Sequence, residues 1–249
     1  MFLFIESYHV AYPNQQALRI VHGTLLFALK IFEGMKMETT YTGFYARFNT
    51  LSKKDAAVLL GADNLVGDVF DIEFVTDDTR SIAWMKNRFG KLVGFFDPET
   101  TRRLRVLHAR DWNLKAILSF VAYTDNPEPG EYWGEAALLC YAPEHEQIFT
   151  TFLQNTSARL TNGVRPEVDL GEQAIKQILD SNGTWAPTKT VPLPAKKNGT
   201  VIMKSHRKAS EKLIEQGRKG NKGCYVVSWL FILAVVALGI FGLKSCGVF

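Results

Sequence analysis

Five histidines and three cysteines are the scarce reactive side chains of this 249-residue chain, and their spacing limits the chemistry open to it. Glu144-His145-Glu146 sets an imidazole between two carboxylates, the donor types that zinc takes. On a helix, adjacent side chains point in different directions, so these three do not converge on one ion. They read instead as a solvated helix start, where the dipole favours acidic residues. His108 and Asp111 pair a base with an acid three residues apart; an enzyme of unrecognised class would have to build its site around these two and His145. Glu128, Glu131 and Glu135 read as a solvated acidic turn. Cys140, Cys224 and Cys246 are too few and too scattered for a disulfide framework or a zinc knuckle. Cys140 sits in an apolar strand and reads as a packing residue, while Cys224 is a lipidation position where the cell has that machinery. No glycine-rich phosphate loop, His-Glu-x-x-His helix or Gly-x-Ser-x-Gly elbow occurs. The expectation is a non-enzymatic binding or scaffolding module with no assigned catalytic residue, metal or cofactor.

The elements that would position these residues begin after Glu38. Thr40 to Phe48 alternates as a strand, Ser52 caps a helix to Leu60, and Val69 to Val75 sets Phe70, Ile72 and Phe74 against Asp71 and Glu73. Ser81–Met85 and Lys91–Phe96 read as a hairpin, Pro98 opens a helix to about Ala109, and Ala116–Tyr123 and Ala136–Tyr141 read as strands around a turn at 126–130. Helices from Pro143 to about Leu160 and from Asp169 to Asp180 follow, stopped by Asn182-Gly183. The expected fold is therefore an α+β soluble domain, a small mixed or antiparallel sheet followed by two helices, plus a single C-terminal transmembrane helix.

That last element rests on residues 225–243, which carry no charge and at about 1.5 Å per residue match a hydrocarbon core roughly 30 Å thick. Tyr225 and Trp229 stand at its start, Leu230 follows, and Leu243 ends it. Lys212, Arg218, Lys219 and Lys222 precede the run and only Lys244 follows, so the positive-inside rule puts the N-terminal part in the cytoplasm. The reading is a tail-anchored membrane protein whose partners are the bilayer, anionic headgroups met by the basic juxtamembrane residues, and an unidentified cytosolic protein. The sequons at Asn155, Asn182 and Asn198 matter only if that topology is inverted.

The divisions expected are an apolar N-terminal segment at 1–37, the α+β domain at 38–183, a Pro/Lys-rich spacer at 184–223, the anchor at 224–243 and a short tail at 244–249. Ala17–Phe32 is apolar but interrupted by Arg19 and Lys30, without a basic start, and so is not a signal peptide. Translation starts at Met1 or at Met35 or Met37. Between Ala186 and Gly223 ten Lys/Arg face only Glu211 and Glu215, so the net charge of +4 belongs to that stretch and the remainder is acidic.

One group of residues stands apart. Ala83-Trp-Met-Lys, Gly90, Leu92-Val-Gly-Phe-Phe and Pro98 with the helix after it resemble the core pattern of HIRAN-type small β-domains over about a quarter of the chain. Thr76-Asp-Asp-Thr replaces the Asn-Pro-x-Asp segment usual there. The resemblance implies binding of nucleic-acid ends, with Trp84, Phe95 and Phe96 stacking on bases and Arg102, Arg103 and Arg105 contacting phosphates. Read from the residues alone, the aromatics are core and the arginines a solvated helix face, which does not favour nucleic acid as a partner.

Overall fold

A computed structural model of the chain describes residues 40–77, 80–125, 128–196, 198–218 and 229–236. Seven strands, β1 (Tyr41–Asn49), β2 (Val69–Asp77), β3 (Arg80–Lys86), β4 (Leu92–Phe96), β5 (Asn113–Thr124), β6 (Glu131–Tyr141) and β7 (Thr200–Lys204), form one antiparallel sheet in the order β2-β3-β4-β1-β6-β5-β7. β2 also pairs with β5, through Val69↔Ile117 to Asp71↔Lys115, which closes the first six strands into a barrel. Bulges make the closure possible by bending strands locally. On β5 the register shifts between Leu118 and Phe120; the residues before the bulge close the ring with β2, and those after it carry β7 through Tyr123↔Val201 and Thr124↔Thr200.

Alternation along the strands sorts side chains onto two faces. On β6, Ala136, Leu138 and Cys140 enter the barrel beside Phe48, Phe70, Met85, Phe96 and Leu118. Ala137, Leu139 and Tyr141 turn outward onto a second cluster. A strand buried on both faces reads as an unbroken apolar run, which is what 136–141 is. Phe48 fills the barrel at a point where its ring has room only because the neighbouring strands carry glycine: a Cβ on Gly134 would stand 2.7 Å from Phe48 Cζ and 2.2 Å from Phe120 O. Helices α1 (Lys53–Leu60) and α2 (Pro98–His108) contribute Leu59, Leu104 and Leu107 to the inner cluster. The outer cluster is covered by α3 (Glu146–Thr161), which follows a 3-10 turn at Pro143–His145, and by α4 (Glu172–Asp180), with Phe149, Phe152, Ile175 and Ile178 facing the sheet. Full burial of each such side chain contributes about 1.5–3 kcal/mol. Tyr41 stacks on Phe149 at 5.1 Å and donates to Val168 O at 3.0 Å.

The proline-rich stretch lies against this core. Proline lacks a donor but keeps its carbonyl, and two long cations use it: Arg159 donates to Pro187 O, and Arg165 Nη1 to Pro192 O at 3.1 Å. Val191 N–H donates to Arg165 O and Glu167 N–H to Lys189 O. Arg165 is only 6% exposed. Its Nη2 meets Glu135 Oε2 at 2.5 Å, and its guanidinium lies 4.4 Å from the Tyr45 ring centroid and 5.3 Å from that of Phe120. Past β7, α5 (Ala209–Arg218) completes an arm. Lys204 Nζ donates to Gly61 O and Asn64 O, at 2.9 and 3.2 Å, and stands 3.6 Å from Glu211. Arg207 donates to Val66 O and Asp68.

The expectation of a small sheet followed by two helices plus a transmembrane helix is thus corrected. The sheet closes on itself, because β2 and β5 meet through a long-range register that no local pattern encodes, and a seventh strand and a fifth helix follow α4. No helix among the described residues is long and apolar enough to cross a membrane, and no C-terminal transmembrane helix is seen. Of the expected span only 229–236 is described, as a helix, about 12 Å long at 1.5 Å per residue. Tyr225, Leu243, Lys219, Lys222 and segments 1–37 and 244–249 lie outside the described residues.

Candidate anion-binding groove

α2 starts where β4 ends, and the local sequence fixes the junction. Asp97, in extended backbone, caps the helix by accepting from Thr100 N–H at 2.7 Å, and Pro98 occupies the first turn, where its missing donor costs nothing. Thr101, Leu104 and Leu107 then face inward. The buried Thr101 hydroxyl accepts from Ala83 N–H and donates to Phe96 O, at 3.2 and 3.4 Å, pinning the helix to β3 and β4 together. At 100° per residue, Arg102 and Arg105 share one flank and Arg103 falls on the other.

That flank and the strand ends bound a groove of about 590 Å³. Arg80, from the first position of β3, joins Arg102 and Arg105 in its wall, with Ile82, Phe95 and Pro98 as the apolar side and Asn49 and Ser81 as neutral polar groups. Asp97 is the one acidic residue in the lining, and its carboxylate is engaged at the helix cap. Among the described residues none of the three arginines takes part in an ion pair. Trp84 pairs with Phe95 across the β3–β4 ladder, their rings 5.2 Å apart and tilted by 48°. Since Ala83 and Met85 point into the barrel, Trp84 and Phe95 present their rings on its outer surface beside the groove. Guanidinium groups without carboxylate partners, next to an aromatic face, bind anions and stack on planar groups.

Of the residues expected to contact nucleic acid, Arg102 and Arg105 line the groove and Trp84 borders it. Arg103 does not: its Nη2 donates to Thr42 Oγ1 at 2.9 Å, and its guanidinium covers the Phe44 ring at 3.8 Å. Phe95 lines the groove, and Phe96 borders its floor while its side chain is buried in the barrel. Arg80 and Asn49 carried no signal in the sequence, since only the meeting of β1, β3 and α2 brings them to this place.

No family model and no curated protein matches this chain.

The HIRAN-type resemblance therefore stands on its short motif alone. The residues available to a catalytic site are held apart. The His108 ring packs on Phe74 at 5.2 Å, against the inner cluster, while His145 meets Phe149 of the outer cluster edge-on at 6.4 Å. Asp111 touches His108 through the backbone, its N–H donating to His108 O. No group of three His, Cys, Asp or Glu among the described residues could hold a metal ion. Burial pushes the Cys140 thiol up to about 12, leaving it protonated and unreactive at neutral pH.

Proposed function

We propose that the chain is a binding module for an anionic ligand, held at a membrane by its C-terminal tail with the barrel on the cytoplasmic side. The observation that carries the ligand class is the groove of Arg80, Arg102 and Arg105, three guanidiniums free of carboxylate partners among the described residues beside an apolar wall. The membrane half is supported by helix 229–236, in which Trp229, Leu230, Phe231, Ile232, Leu233, Val235 and Val236 are each 51–69% exposed. An apolar surface of that kind calls for lipid or an apolar partner, and the uncharged run 225–243 with its basic flank favours lipid.

A second reading, single-stranded nucleic acid as the ligand, is favoured by the Trp84–Phe95 pair, because bases stack on aromatic faces whatever their sequence. One experiment addresses both. The full chain in neutral detergent is titrated into fluorescent oligothymidylate and into inorganic polyphosphate of equal charge. Three phosphate contacts at about 0.7 each give a log–log salt slope of about −2, so raising salt from about 50 to 200 mM weakens binding roughly 18-fold. Oligothymidylate binding tighter than polyphosphate, with Phe95→Ala removing the difference, supports the nucleic-acid reading. Equal binding insensitive to Phe95 leaves phosphate recognition alone. Absence of salt-sensitive binding to either polymer overturns the groove as a site for anions.

A further inference from the structure

The chain leaves the barrel on a face the groove does not use. β7 lies at the end of the sheet, its outer edge without a partner strand among the described residues, and Val201 and Met203 on it are 56% and 40% exposed. On α5, Glu211 reaches Lys204 and Lys212 Nζ donates to Asn162 Oδ1 at 3.3 Å, so these two residues define the side turned to the barrel. A further 100° of rotation carries Leu213 away from it, and Leu213 is 68% exposed. Lys208 is exposed at the start of the same helix.

Exposed apolar residues taken singly select no partner. The continuation of the chain does. Arg218 ends α5 and the uncharged run begins at Tyr225. Seven residues reach at most about 25 Å when fully extended, so an arm whose tail contacts lipid cannot stand far from that lipid. Charge points the same way: the sequence from Lys208 to Lys222 carries five Lys/Arg and only two acidic residues, Glu211 and Glu215, and Glu211 is occupied by Lys204 and by the Lys208 N–H. Such an excess of cations suits anionic headgroups, which attract basic residues within about a Debye length of the surface.

We propose that the β7–α5 arm is a bilayer-docking face. Val201, Met203 and Leu213 enter the headgroup layer, Lys208 contacts anionic lipid, and Lys204 and Arg207 hold the barrel to the docked arm. The tail then fixes distance and the arm fixes orientation. This inference rests on the membrane reading above, and its test separates the two.

The full chain is mixed with vesicles of phosphatidylcholine alone and with vesicles containing about one-third phosphatidylserine, and amide hydrogen exchange over residues 200–218 is followed on the floated fractions. Flotation with both, and exchange about tenfold slower on the anionic vesicles, is expected. Leu213→Glu and Lys208→Glu, both at exposed positions, should return exchange to the neutral-vesicle rate without loss of flotation. Flotation with both and equal exchange overturns the docking face and leaves the tether standing. Flotation with anionic vesicles only, abolished by Leu213→Glu, overturns the tether and supports the docking face. Flotation with neither overturns both.

Discussion

Arg165 is the residue whose loss should be felt most widely. Its charge is buried against Glu135, whose side chain is 19% exposed, and it also donates to Pro192 O. Removing one partner of a buried ion pair leaves the other charge uncompensated, at a cost of about 3–5 kcal/mol. For Arg165→Met we expect about 4 kcal/mol, with the long apolar side chain keeping contact with the Tyr45 and Phe120 rings. At roughly 2–4 °C per kcal/mol for a domain of this size, the melting temperature falls by about 8–16 °C. The assay is urea and thermal unfolding of the full chain in neutral detergent, followed by circular dichroism. A companion variant makes the test specific. In Arg165→Met/Glu135→Leu neither charge remains, and stability should return to within about 1 kcal/mol of the parent. A loss below about 1 kcal/mol for the single variant, or no recovery in the double, would refute the assignment of this pair as buried and mutually dependent.

Gly134→Ala should destabilise by about 1–3 kcal/mol by overpacking, since its Cβ would meet the Phe120 carbonyl as well as the Phe48 ring; urea midpoints measure it, and adding Phe48→Leu should restore only part. Arg103→Ala should leave anion affinity within about twofold by anisotropy, whereas Arg105→Ala should make the salt slope shallower by about 0.7, because Arg103 is committed to Thr42 and Phe44. Burial raises Cys140 from 9.0 to about 12 and Tyr45 from 10.0 to about 12. Both are acids whose folded values exceed their unfolded ones, so their stabilising contribution is complete below about pH 9 and is lost as pH rises toward 12. Urea midpoints should fall through that window, less steeply in Cys140→Ala, and a thiol reagent at about pH 8 should leave Cys140 unmodified in the folded chain.

The local elements were legible because each carries its own signal. The alternation at 69–75 marks β2, Pro98 marks the start of α2, and Asn182-Gly183 marks the end of α4. Barrel closure was not legible: Val69 and Ile117 meet across 48 positions of sequence, and nothing near either residue specifies the other. β7 was hidden by composition. Thr200–Lys204 is a short run among lysines and glycines, and it becomes a strand because β5 offers it an edge. The contacts of the proline stretch were not legible either, since proline content speaks of missing donors and says nothing about carbonyls that Arg159 and Arg165 can reach. Of the three groove arginines, Arg102 and Arg105 stood out in the sequence through the resemblance. Arg80 did not, because the contact is made by a β3 end and a helix flank that only the fold brings together.

The place where β7 joins the sheet has a mechanical consequence. Tension on the C-terminal tail enters through α5 and reaches first the Lys204 and Arg207 contacts and the short ladder between Thr200–Lys204 and Val121–Thr124. The six strands of the ring close on one another without β7. The arm is therefore a release point in series with such a load: it can peel from β5 while the β3, β4 and α2 junction that shapes the groove keeps its geometry.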